Sequence, residues 1–228
     1  MTEVISIPGF ADPFSSLSHL FGAMVFAALG VILCVRGRGD GLRMVGLIAF
    51  SLGAVLLLAT SGVYHLFQPT GYAHRVLQRI DHAAIFLLIA ASFTPVHILL
   101  FRGWGRWGVL LLIWAIAILG ITLKSIYFEQ ISPQIGTAMY IGMGWIGLGS
   151  WVDLIRRYGF QFALPLMFSG FTYTVGAVLD SIRWPVLFVG VFQAHELFHV
   201  AVLIGLGLHW AFVYSIATRA TNTPLTDL

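Results

Sequence analysis

His195-Glu196-Leu197-Phe198-His199 lies inside a long apolar run from residue 184 to about residue 214. Two imidazoles four positions apart on a helix sit about 40° apart around its axis and one turn apart along it, so both can reach one ion. Ionisable side chains are expensive in hydrocarbon, and those found there usually line a site or a water-filled cavity. A pair at this spacing beside a glutamate points to a metal. The plain alternative is two histidines hydrogen-bonded inside a helix bundle. A second pair at the same spacing, Ser61 and His65, closes an earlier apolar run, and Asp81-His82 opens the next one.

The chain that must position these groups is 59% hydrophobic and 9% charged, with a mean hydropathy of +0.93 over 228 residues. A soluble domain carries about a quarter of its residues as charges, so this is a membrane protein. Each crossing takes about 20 apolar residues, and seven crossings with short connections use almost all of the chain. Spans are expected near 14–35, 44–67, 80–101, 107–126, 135–151, 162–179 and 186–214, making an all-α, seven-helix transmembrane bundle with an intramembrane zinc site in a single domain, 1–228. Residues 68–79 read as a loop, Pro95 as a kink, Trp104 and Trp107 as interfacial anchors, and residues 218–228 as a polar tail. The twelve Lys and Arg are scattered through loops with no basic face, which excludes nucleic acid and leaves them as topology signals. Cys34 is the only cysteine, so no disulfide can form within the chain. The first 35 residues lack the basic n-region of a cleavable signal peptide.

Topology brings the polar groups together. With seven spans, odd-numbered helices begin, and even-numbered helices end, on the side of the N-terminus, here termed the near side. His65 closes the second span, Asp81 opens the third, and His195 falls two to three turns into the seventh, with His199 one turn deeper. Ser61 lies a turn below His65. His19 and His82 share that depth, and sequence does not decide whether they point inward. His97 and His209 fall towards the far side, and His74 in a near-side loop.

Three neutral imidazoles holding Zn2+ leave a fourth position for water, whose pKa the metal lowers to about 7. Asp81 is the candidate base and Ser61 a hydrogen-bonding neighbour, with an ester or amide bond of a membrane lipid as the target. The competing reading is a structural zinc that ties the second, third and seventh spans together. His195–His199 also fits the HExxH protease signature, with Glu196 as base and Asp180 as a further carboxylate from the near side. The metzincin extension fails, since Val202 and Gly205 stand where Gly and His are needed. Gly142-Met-Gly144-Trp-Ile-Gly147 matches a dinucleotide-binding pattern, but only a strand–turn–helix setting gives that pattern meaning. Within a span it reads as close helix packing.

Ser61-xxx-His65, Arg79-Ile-Asp81-His82, Ser92-Phe-Thr-Pro95, Gly170-Phe-Thr-Tyr173 and His195-xx-Phe198-His199 together resemble the hemolysin III proteins, the bacterial branch of the progestin and adipoQ receptor family that includes the adiponectin receptors. The resemblance runs from Ser18-His19-Leu20 to His199. It implies a seven-helix bundle with zinc on His65, His195 and His199, a water held by Asp81, and Ser61 beside it. It also implies a ceramidase-like site acting on ceramide-like lipid, and it removes Glu196 from the role of base. A lipid hydrolase, a zinc-containing lipid or membrane-state sensor without turnover, and a cytolysin are the functional classes it leaves. The last ranks lowest, because no amphipathic segment is able to leave one membrane for another.

The expected location is the cell (inner) membrane. Arg75, Arg79, Lys124 and Arg183 lie in near-side segments, whereas Arg36, Arg38, Arg43, Arg102, Arg106, Arg156, Arg157 and Arg219 lie in far-side ones. The positive-inside rule therefore places the N-terminus outside, while the family resemblance places it inside.

Overall fold

A computed structural model describes residues 4–67 and 71–221. Its helices are α1 (Pro13–Gly37), α2 (Gly41–Tyr64), α3 (Tyr72–Leu100), α4 (Gly103–Ile126), α5 (Pro133–Trp145), α6 (Gly147–Tyr158), α7 (Phe160–Ile182) and α8 (Ala194–Ile216). Seven stretches are long and apolar enough to cross a membrane, α5 and α6 together forming one of them. Among the described residues there is no strand, only two isolated bridges.

Each start has a local cause. Asp12 caps α1, its carboxylate accepting from the Ser15 N–H, with Pro13 next in the first turn. Asp40 caps α2 and Ser132 caps α5 in the same way. At α8, the Gln193 side chain accepts from the Glu196 N–H while the Glu196 carboxylate accepts from the Gln193 N–H at 2.6 Å. The break between α5 and α6 is slight. Ile146 keeps helical angles and its N–H bonds back three residues to Met143, a tightened turn rather than a kink.

The central helix is α3, which packs against α2, α4, α5 and α8 and is the most buried of the spans. One apolar core runs through Phe26, Leu47, Phe50, Leu58, Leu100 and Leu206, and a smaller one joins Phe86, Ala90, Ile113, Ala117 and Met143. Outward faces carry Phe21, Met24, Val31, Leu111 and Ile118, all well exposed, as lipid contact requires.

Several boundaries differ from those expected. The third span begins at Tyr72, so Asp81 sits well inside α3 instead of opening it, and the loop expected over 68–79 is helical from Tyr72. Residues 68–70 of that loop, residues 1–3 and residues 222–228 of the expected tail lie outside the described residues. The last span begins at Ala194, so His195 stands in the first turn of α8 and not two to three turns in. Residues 183–193 are a loop despite their apolar character. Arg183 and Gly190 adopt positive φ (57° and 76°), and the paired caps at Gln193 and Glu196 stop the helix there. Hydropathy alone does not separate such a loop from a span. The fifth span continues to Tyr158, its polar end held by an Arg157–Asp153 ion pair at 2.6 Å. Of the glycines at 142, 144 and 147, only Gly147 faces a close neighbour, the Phe93 ring 3.1 Å from where a Cβ would stand. The packing role expected for that motif belongs to its last glycine.

On the far side, the arginines close the bundle. Arg43 donates to the carbonyls of Gly37, Arg38, Thr218 and Arg219, and Arg106 to those of Phe101 and Thr221. The Asp40 carboxylate accepts from Thr221 and from the Arg43 N–H, which holds its pKa down to about 2.

On the near side, Gly62 lets α1 approach α2. A Cβ there would lie 2.7 Å from Leu20 Cγ and 2.9 Å from the Leu20 backbone nitrogen, and Ser16 Oγ donates to the Gly62 carbonyl at 2.8 Å. Gly62→Ala must push the two helices apart. We expect a loss of about 1–3 kcal/mol, read as a lower thermal unfolding midpoint in detergent; an unchanged midpoint would show that this contact yields freely.

Candidate metal centre

His65 is the residue just past the last turn of α2, its N–H bonded to the Ser61 carbonyl at 3.1 Å. His195 and His199 occupy the first two turns of α8 on one face. Their imidazoles meet: the His195 Nε2 lies 3.2 Å from the Nε2 of His65 and 3.2 Å from the Nε2 of His199. One ligand nitrogen from each of the three falls within 4.8 Å of the others, so these three histidines could hold a metal ion. Two nitrogens bound tetrahedrally at about 2.0–2.1 Å from zinc stand about 3.3–3.4 Å apart, which is close to the two spacings that involve His195.

Carboxylates hold two of these rings from behind. Asp12 Oδ2 is 3.3 Å from His65 Nδ1, and Asp180 Oδ1 is 3.2 Å from His195 Nδ1. Each favours the tautomer with its proton on Nδ1, leaving the Nε2 lone pair free to bind. Burial opposes the charge on Asp12, but hydrogen bonds from His65 and Ser15 outweigh it and hold the carboxyl below its usual range. With Nδ1 donating on both rings, unprotonated Nε2 atoms 3.2 Å apart repel one another unless a proton or a metal ion lies between them. His199 is backed by His19, whose ring stacks on it at 3.8 Å between centroids and whose Nε2 is 3.4 Å from the His199 carbonyl oxygen.

Asp81 and Ser61 are both buried on the facing helices, with the Ser61 hydroxyl near the Asp81 carboxylate and His195 within electrostatic reach. His82 turns away from the centre, its Nδ1 2.8 Å from the Gln78 carbonyl oxygen, although it remains 3.8 Å from Asp81 Oδ2. His97 bonds Gly105 and Ser150, and His209 bonds the Ser92 carbonyl, both towards the far side. The Glu196 carboxylate is spent on its own helix cap at Gln193, so it is not placed as the base of an HExxH protease. Asp180 does arrive from the near side, as a partner of His195 Nδ1. Asp12 is the residue that sequence reasoning passed over. The available signal was its place before Pro13 at the near-side start of the first span.

Seven membrane-crossing stretches enclosing three convergent imidazoles define a multi-pass membrane protein with a candidate metal centre. A family model described as haemolysin-III related matches residues 10–210, and the chain belongs to that family. It is 30% identical over 195 residues to the Hemolysin-3 of Bacillus cereus, covering 84% of each chain. It is 27% identical over 167 residues to a Hemolysin-3 homolog of Bacillus subtilis (strain 168), covering 72% of this chain and 77% of the other. Similarity extends to the progestin and adipoQ receptor-like protein 1 of Caenorhabditis elegans, 25% identical over 254 residues, or 95% of this chain and 56% of that protein. The expected relationship to the hemolysin III and adipoQ receptor group therefore holds.

Proposed function

We propose that this protein is a zinc-dependent hydrolase that cleaves amide or ester bonds of membrane lipids, with ceramide-like lipids as the first candidates. The observation that supports the reading is the 3.2 Å spacing of the His195 Nε2 from those of His65 and His199, with the His65 and His195 rings fixed from behind by Asp12 and Asp180. Imidazole donors without thiolates suit zinc, and three protein ligands leave one position open, as in catalytic sites and unlike closed structural ones. Zinc held there would polarise a carbonyl and lower the pKa of water. Asp81 is the group in this reading that accepts the proton of the attacking water and passes it to the leaving amine or alkoxide. Ser61, buried near that carboxylate, is the group in this reading that orients it. His65, His195 and His199 serve as ligands, and His19 props the last of them.

The test is metal analysis of the purified protein in nanodiscs beside hydrolysis of a fluorescent ceramide and a fluorescent phospholipid. Zinc near one equivalent, with cleavage that stops on chelation and returns with zinc, supports the hydrolase. Bound zinc with no cleavage of either lipid turns the reading to a sensor.

The charge count supports an outward-facing metal half in the cell membrane. In a Cys34→Ala background, Gln130→Cys on the exposed near-side loop is expected to react with a membrane-impermeant maleimide added to intact cells. Reaction only after lysis reverses the orientation.

A further inference from the structure

Lys124 stands in the last turn of α4 at the near side and is only 2% exposed. Among the described residues no carboxylate and no hydrogen-bond acceptor meets its ammonium. Its Cε and Nζ instead pass over Gly136 of α5, lying 3.0 and 3.1 Å from where a Cβ would stand, and Nζ sits 4.8 Å from the centre of the Phe128 ring. Glu129, the acid closest in sequence, is 3.6 Å from Arg79, and Asp81 lies 3.8 Å from the His82 Nδ1. A lysine at a helix C-terminus gains from the dipole, but this one reaches across to α5 and makes no bond to its own last carbonyls. A cation beside a ring gains less than desolvating an ammonium costs. Among the described residues no anion answers this charge.

We propose that Lys124 receives the anionic headgroup, phosphate or carboxylate, of the lipid whose acyl bond is cut at the histidine centre. The proposal rests on the hydrolase reading and narrows its substrate class from neutral ceramide-like lipids to acyl lipids that carry an anion. Continuous side chains join the two places. Phe128 meets the His82 ring edge-on at 5.1 Å, His82 lies 3.8 Å from Asp81, and the Tyr140 hydroxyl donates to the His82 carbonyl at 3.2 Å. Arg79, partly exposed and 5.7 Å from the same Phe128 ring, offers a second cation at the rim. A headgroup passing Arg79 and settling on Lys124 would leave its acyl linkage pointing towards Asp81.

The test compares matched lipids on the full chain in nanodiscs. N-dodecanoyl glycine is paired with neutral N-dodecanoyl ethanolamine, and dodecanoyl lysophosphatidic acid with monododecanoyl glycerol, which separates the carboxylate source from the phosphate source. A charge-assisted bond contributes about 1.5–3 kcal/mol, so the anionic member of at least one pair should be favoured about tenfold or more in kcat/KM. In Lys124→Met the ratio should fall to near one, and in Lys124→Arg it should be largely kept. Dissociation constants for the same four lipids are measured on Asp81→Asn protein with and without Lys124→Met. If no lipid is cleaved, the hydrolase reading fails while this binding arm still decides on Lys124. Equal preference in wild type and Lys124→Met, in both turnover and binding, overturns the proposal.

Discussion

His195→Ala is expected to leave the purified protein nearly free of metal, while His74→Ala, with its ring against Tyr64 on the same side of the bundle, keeps a full complement. The asymmetry follows from position. The His195 Nε2 is the atom that stands 3.2 Å from each of the other two, so its loss leaves His65 and His199 without the nitrogen between them. Disturbing a mere supporting partner of a metal ligand costs about 10–100-fold in affinity, and removing a ligand costs at least as much. The substitution also strands the Asp180 carboxylate that held the ring. Plasma emission analysis after dialysis against a weak chelator reads the result. Equal zinc in wild type and His195→Ala would discard the centre altogether.

Asp81→Asn should do the opposite: the metal stays and the chemistry goes. Asp81 is not among the three converging histidines, and asparagine preserves its volume and keeps one acceptor oxygen. What is lost is a carboxylate able to take a proton, worth about 10²–10⁴ in rate for a general base. Zinc content and unfolding midpoint close to wild type, with kcat down by at least about a hundredfold, are the expected findings. A variant that loses zinc together with activity would make Asp81 a support for the ligands rather than the base. Wild-type activity would remove it from the mechanism.

The seven crossings and the three histidines could be read from residue types, because apolar runs of fixed length and a four-residue spacing survive any detail of packing. His65, far from the α8 pair in sequence, could be placed beside it only because helix parity sets which ends share a side. Depth was harder. The run 184–214 looks uniformly apolar, yet Gly190 at positive φ and the paired caps at Gln193 and Glu196 divide it into loop and helix, so His195 lies nearer the bundle end than hydropathy suggests. Asp12 looked like part of a polar lead because its two roles, capping α1 and bonding His65, appear only when α1 and α2 are packed. Lys124 counted as one topology charge among twelve until its neighbours showed that no acid among the described residues answers it.

Because His65 and His195 are separated by 130 positions of chain, the ligand set cannot exist until translation has delivered the final helix. If zinc binds there as proposed, metal acquisition must follow the insertion of α8, and cells starved of zinc should accumulate an inserted but empty protein rather than a degraded nascent chain.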